Sequence, residues 1–151
     1  MNDVQDYIRK QVDTALFCDA DYAASLKQFT RVWDAHESQS PIEVASGRYW
    51  YQLHLVLVIE ARHRIRDLDC LGEIFEASQA ISLDRGYRLA AISVMPDHLH
   101  LSLRGAVVDS PESIALAYLN ESCRRLKANG LWRPSYYVGT IGAYNMNAVR
   151  S

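Results

Sequence analysis

Ile92-Ser93-Val94-Met95-Pro96-Asp97-His98-Leu99-His100-Leu101 places two strand patterns on either side of a proline turn, and the fold is read outward from it. Proline opens turns but cannot donate to a sheet ladder. Met95-Pro96-Asp97 is therefore expected to turn, with Tyr87–Val94 and His98–Arg104 as the two arms of a hairpin. Side chains two apart on a strand leave the same face. Leu99, Leu101 and Leu103 then share one face, which suits a core, and His98 and His100 share the other, which suits a site. Two neutral imidazoles on one face can share a divalent metal, with a third oxygen or nitrogen ligand and water completing the shell.

Upstream, Leu71, Ile74, Phe75, Ser78, Ile81 and Leu83 predict a helix over residues 68–85, closed by Gly86. Before it, Arg48–Ile59 is rich in aromatic and β-branched residues, with Leu53, Leu55 and Leu57 alternating against Gln52, His54 and Val56, which predicts a strand. Downstream, Ser110 is placed to cap a helix that begins at Pro111 and runs through Ile114, Leu116, Tyr118, Cys123 and Leu126 to Asn129-Gly130. Ser135–Ile141 completes a fourth strand. The order β-α-β-β-α-β predicts an α+β, ferredoxin-like antiparallel sheet with its helices on one face.

Ahead of this unit, Val4, Ile8, Val12, Ala15 and Leu16, then Tyr22, Leu26, Phe29 and Trp33, recur at helical spacing. Residues 2 to about 37 are expected to be helical, with a break near residues 17–21, and Glu37-Ser38-Gln39-Ser40-Pro41 to be a connector. The chain divides into an N-terminal helical segment, 1–47, and a ferredoxin-like domain, 48–151, within one globular unit.

Composition narrows the setting. The 151 residues are 49% hydrophobic, enough for one core. Cys18, Cys70 and Cys123 are an odd number without C-x-x-C spacing, which favours a reducing, cytoplasmic location, and no membrane segment is expected. A formal charge of −2 argues against a basic coat for nucleic acid. Local clusters remain: Arg62 and Arg64 in one, Arg124, Arg125 and Lys127 followed by Arg133 in another, either able to neutralise phosphates or simply to solvate element ends.

The run Ile92–Leu101 resembles the strand-turn-strand signature of the IS200/IS605-like single-tyrosine transposases, members of the HUH enzymes, including the REP-associated tyrosine transposases. Tyr51-Gln52-Leu53-His54-Leu55-Val56-Leu57-Val58 resembles that family's first strand, and Trp132-Arg133-Pro134-Ser135-Tyr136-Tyr137-Val138-Gly139-Thr140-Ile141-Gly142 its last. The resemblance covers residues 48–150. It implies that His98 and His100 bind Mg²⁺ or Mn²⁺, that a tyrosine on a following helix attacks DNA to leave a 5′-phosphotyrosine, and that a glutamine four positions on completes the metal shell.

The sequence given ends where that tyrosine would follow, at Ala148-Val149-Arg150-Ser151. Val4-Gln5-Asp6-Tyr7-Ile8-Arg9-Lys10-Gln11 matches the missing helix in its Tyr-Ile pair and in its Tyr-to-Gln spacing. A circular permutation is inferred, with Tyr7 as nucleophile and Gln11 as third ligand; domain termini often lie close enough for such a move. The helix can act in its own chain or in the partner of a homodimer. The alternative for Tyr7 is an ordinary aromatic of an amphipathic helix. Tyr144 lacks a glutamine four residues on, and Tyr136 and Tyr137 are assigned to strand or core. Asp97 is expected to orient a metal-bound imidazole from behind or to serve the turn; His54 faces the metal, the DNA or a hydrogen-bond partner in the sheet; His36 and His63 are assigned to the surface.

The expected function is a metal-dependent strand transferase acting on single-stranded or hairpin DNA in a bacterial or archaeal cell, associated with the nucleoid. Its rivals are a domesticated hairpin-binding protein that does not cut and a metal-dependent phosphohydrolase that uses water.

Overall fold

The computed structural model describes residues 3–10, 20–33, 42–60, 65 and 67–141. The described elements are α1 (Asp3–Arg9), α2 (Ala20–Leu26) with a 3₁₀ turn (Lys27–Phe29), β1 (Thr30–Val32), β2 (Ile42–Val44), β3 (Gly47–Tyr49), β4 (Gln52–Ile59), α3 (Leu68–Arg85), β5 (Arg88–Val94), β6 (His98–Arg104), α4 (Pro111–Leu126) and β7 (Trp132–Ile141). From β4 onward this is the expected β-α-β-β-α-β order. Five strands form one antiparallel sheet in the order β1-β5-β6-β4-β7, and β2 and β3 form a separate hairpin. Because β6 lies between β4 and β5, the β4-α3-β5 unit is split, as in the ferredoxin-like arrangement.

Alternation fixes the two faces of the sheet. Leu53, Leu55, Leu57 and Ile59 of β4 are buried, as are Leu99, Leu101 and Leu103 of β6. Across the β4–β6 ladder Leu55 opposes Leu101 and Leu57 opposes Leu99, so the leucines form one continuous apolar surface. Leu71, Ile74 and Ile81 of α3 and Ile114, Ala115 and Tyr118 of α4 cover it. Leu26, Phe29 and Trp132 belong to the same core.

Both covering helices are capped at each end. Asp67 accepts from the Asp69 N–H at the start of α3, and Ser110 accepts from the Ser113 N–H at the start of α4, with Pro111 as first helical residue. Gly86, at φ 73°, ends α3 in the left-handed conformation while the Tyr87 N–H reaches back to the Ser82 carbonyl. Lys127, at φ 52°, ends α4 in the same way, with the Ala128 N–H on the Cys123 carbonyl. The helix therefore stops at Leu126, short of the Asn129-Gly130 stop expected from the sequence.

Other expectations shift for non-local reasons. Thr30–Val32, expected to be helical, pairs with β5 and satisfies the outward backbone groups of what would otherwise be an edge strand. The Arg48–Ile59 strand is broken: Gly47–Tyr49 pairs with Ile42–Val44, and β4 begins only at Gln52. Tyr51, at the break, donates its hydroxyl to the Asp109 carbonyl at 2.6 Å. Strand β7 starts at Trp132, three residues early, because a register shift lets Trp132 pair with Ile59 while its indole N–H donates to Ser122 at 2.7 Å. The two helices of the ferredoxin-like unit share the leucine face, as expected, while α1 of the N-terminal segment sits opposite, where Tyr7 meets His54 and His100. Among the described residues no helix is long and apolar enough to cross a membrane.

Candidate active site

The face of the sheet turned away from the leucines is polar and close-packed. His100 opposes Val56 on β4 and Ser93 on β5, and His54 opposes Ser102. Ser93, Ser102 and His100 are all buried. Helix α1 rests on this side against β1, β5 and β6. It turns Gln5 and Ile8 inward, both fully buried, and leaves Tyr7 53% exposed at the edge of the contact. Gln5 Oε1 is buried with no hydrogen-bond partner among the described residues.

Five of the residues singled out in the sequence come together here. His98 and His100 lie with ring centroids 4.6 Å apart, nearly perpendicular. Asp97 Oδ1 lies 2.5 Å from His98 Nδ1, in the geometry that holds a ligating imidazole with Nε2 as its metal-facing atom. His54 stacks on His100 at 5.5 Å and 16°, and His54 Nε2 is 3.2 Å from His100 Nδ1, so one ring donates its proton to the other. Tyr7 approaches His100 edge-on at 5.4 Å and His54 at 6.4 Å.

Burial sets the charge state of this group. It pushes the His100 pKa down to about 3, with the neighbouring His98 and His54 adding to the effect, and burial lowers His54 as well. Both rings are neutral at neutral pH, and for His100 that is the form able to ligate a metal. Among the described residues no group of three His, Cys, Asp or Glu side chains is gathered to hold a metal, and the donors adjacent on the strand are the imidazoles of His98 and His100. That donor set fits two positions of a divalent-metal shell, leaving the others to an amide oxygen, water or a phosphate oxygen.

The basic candidates are arranged differently. Arg125 is paired with Asp84 of α3 within the helical layer. Arg124 and Lys127 are exposed at the C-terminal end of α4. This end of the sheet also carries His98, since Val58 opposes His98, the Ile59 N–H bonds the Asp97 carbonyl and the Glu60 N–H bonds the Leu131 carbonyl. Arg133, half-buried in β7, lies at the same end. Gln11, Arg62, Arg64, His36, His63 and Tyr144 lie outside the described residues.

Tyr137 lies in β7, in line with the strand half of its strand-or-core assignment. It is not a core residue: it is 57% exposed on the histidine face, 5.7 Å from His54. The signal lay in the alternation of β7, because pairing Gly139 with His54 puts Tyr137 on His54's side of the sheet. That pairing was not available from the strand by itself.

Comparison with known proteins gives the family and the fold. Residues 48–151 match the family described as Transposase IS200 like. The ISDra2 transposase TnpA of Deinococcus radiodurans is 29% identical over 115 residues, covering 67% of this chain and 82% of that protein. Among solved structures, a transposase-like protein of Deinococcus radiodurans R1 superposes with a TM-score of 0.60 at 23% identity, covering 72% of this chain and 92% of the other. A REP-associated tyrosine transposase bound to a REP hairpin gives 0.51 at 16% identity, covering 71% and 67%. Likeness at these structural identities speaks for the fold, and the sequence match speaks for the family. On the strength of that match over residues 48–151, the chain belongs to the IS200-like, single-tyrosine transposase family.

Proposed function

We propose that the protein is a metal-dependent single-stranded-DNA strand transferase in which Tyr7, carried by helix α1 on the N-terminal side of the matched domain, is the nucleophile. One observation carries this: α1, outside the matched range 48–151, seats Tyr7 edge-on to His100 at 5.4 Å. The phenol oxygen forms a bond to phosphorus, the bond from phosphorus to the 3′ oxygen breaks, and that oxygen departs with the electron pair and gains a proton. The products are a 5′-phosphotyrosine and a free 3′-OH, and the phosphodiester energy is kept in the covalent link.

His98 and His100 would hold Mg²⁺ or Mn²⁺, with Gln11 as the third protein ligand, and the ion would supply Lewis-acid polarisation of the scissile phosphate. Asp97 holds the His98 ring, and His54 fixes the tautomer of His100. Arg124, Lys127 and Arg133, at the His98 end of the sheet, are assigned to backbone phosphates, as are Arg62, Arg64 and, once released from Asp84, Arg125. The substrate is taken to be a single strand at a hairpin, the assembly a homodimer, and the setting the nucleoid of a prokaryotic cytoplasm.

The test is incubation with Mn²⁺ and a panel of single-stranded hairpin DNAs, followed by mass spectrometry of any DNA-linked peptide. Adducts on the peptide containing Tyr7, absent from Tyr7→Phe, are expected. Adducts that persist in Tyr7→Phe would overturn the nucleophile. Tight hairpin binding without any cut would identify a domesticated binding protein, and cleavage in Tyr7→Phe with no protein-linked product a water-using phosphohydrolase.

A further inference from the structure

We propose that Tyr137 is a stacking platform for an unpaired nucleobase next to the scissile phosphate, an inference that rests on the strand-transfer function above. Its position is the first support. Tyr137 lies edge-on to His54 at 5.7 Å, His54 stacks on His100 at 5.5 Å, and Tyr7 meets His100 at 5.4 Å. A single row of rings thus crosses from β7 through β4 and β6 to α1, with Tyr137 at one end and Tyr7 at the other.

Its exposure is the second. Trp132 of the same strand is 4% exposed and anchored to Ser122, whereas Tyr137 is 57% exposed. Core packing does not account for a large ring in that position.

Gly139 is the third. A β-carbon there would lie 2.6 Å from Tyr137 Oη and 3.2 Å from Cζ. The phenol therefore lies back across the strand over a glycine, with one side steadied by His54. A ring held in this way offers its open side to a base. Stacking needs a base whose own face is uncovered, which a single strand has and a duplex does not.

The test is binding, read by fluorescence anisotropy without added metal and in the Tyr7→Phe background, so that chemistry does not enter. The probes are an end-labelled single-stranded oligonucleotide and the same strand annealed to its complement. Tyr137→Ala should weaken single-strand binding about tenfold and Tyr137→Phe by no more than about twofold, with duplex binding unmoved by either. The salt dependence should keep its slope, since a ring releases no counterions. Gly139→Ala should weaken binding when the tyrosine is present and add nothing to Tyr137→Ala. Unchanged affinity in Tyr137→Ala, a loss in Tyr137→Phe as large as in Tyr137→Ala, or a Gly139→Ala effect independent of the ring would each overturn the platform. If the parent protein binds single strands and ignores Tyr137, only the platform falls; if it binds none, the strand-transfer function falls with it.

Discussion

Leu55 and Leu101 point to one side of the sheet, His54 and His100 to the other, though His54 is joined to Leu55, and His100 to Leu101, by a single peptide bond. On the leucine side two capped helices of 18 and 16 residues bury a continuous apolar layer. On the histidine side a helix of 7 residues covers serines and imidazoles. Apolar burial supplies most of the folding free energy, and an isolated helix this short is not stable in water. Stability is thus concentrated on one face and reactive groups on the other. Helix α1 buries Ile8 and sets Tyr7 against the imidazoles, whereas the buried Gln5 Oε1 gains no hydrogen bond among the described residues.

The most direct way to break this contrast is to truncate each face in turn. Leu101→Ala removes a fully buried side chain and should cost about 2–5 kcal/mol in denaturant unfolding. His98→Ala, on the same strand but the other face, should cost less than about 1 kcal/mol, and the proposed metal site further predicts a rise in melting temperature with Mn²⁺ in the parent that this variant loses. Equal losses of stability would show that the two faces are not energetically distinct.

Ile8→Ala sharpens the comparison within the histidine face. Helix α1 should open on its own, with amide exchange rising over residues 3–10 while the β4–β6 ladder keeps its protection. Uniform loss of protection would instead make α1 part of the global core.

The smallest expected effect belongs to the leucine side. Burial, with the Asp109 carboxylate that accepts its hydroxyl proton at 2.8 Å, raises the Tyr87 pKa to about 12 from 10.0. A pKa raised on folding means that the folded state binds the proton more tightly. The associated stability is fully present below pH 10 and is lost as the pH rises through about 12. Tyr87→Phe should flatten that alkaline limb in denaturant midpoints measured against pH, and a limb of unchanged steepness would assign it to other groups.

Much of the fold was legible because its signals are local. The Pro96 turn, the Leu-His alternation of residues 98–103, the Ser110-Pro111 helix start and the Gly86 stop each depend on residues within a few positions of one another, and each appears where expected. Lys127 shows the limit, since its left-handed turn is closed by backbone hydrogen bonds that no glycine announced. Thr30–Val32 shows another, because its strand exists only through a partner more than fifty residues away.

The candidate site divides along the same line. That His98 and His100 share a face follows from the two-residue period of a strand, and that Tyr7 sits on a helix follows from local spacing. Which side of the sheet that helix covers, that His54 stacks on His100, and that Tyr137 stands beside them rather than in the core all depend on strand order and register. Those are set by how the whole apolar surface is buried at once, and no segment of the sequence carries that information separately.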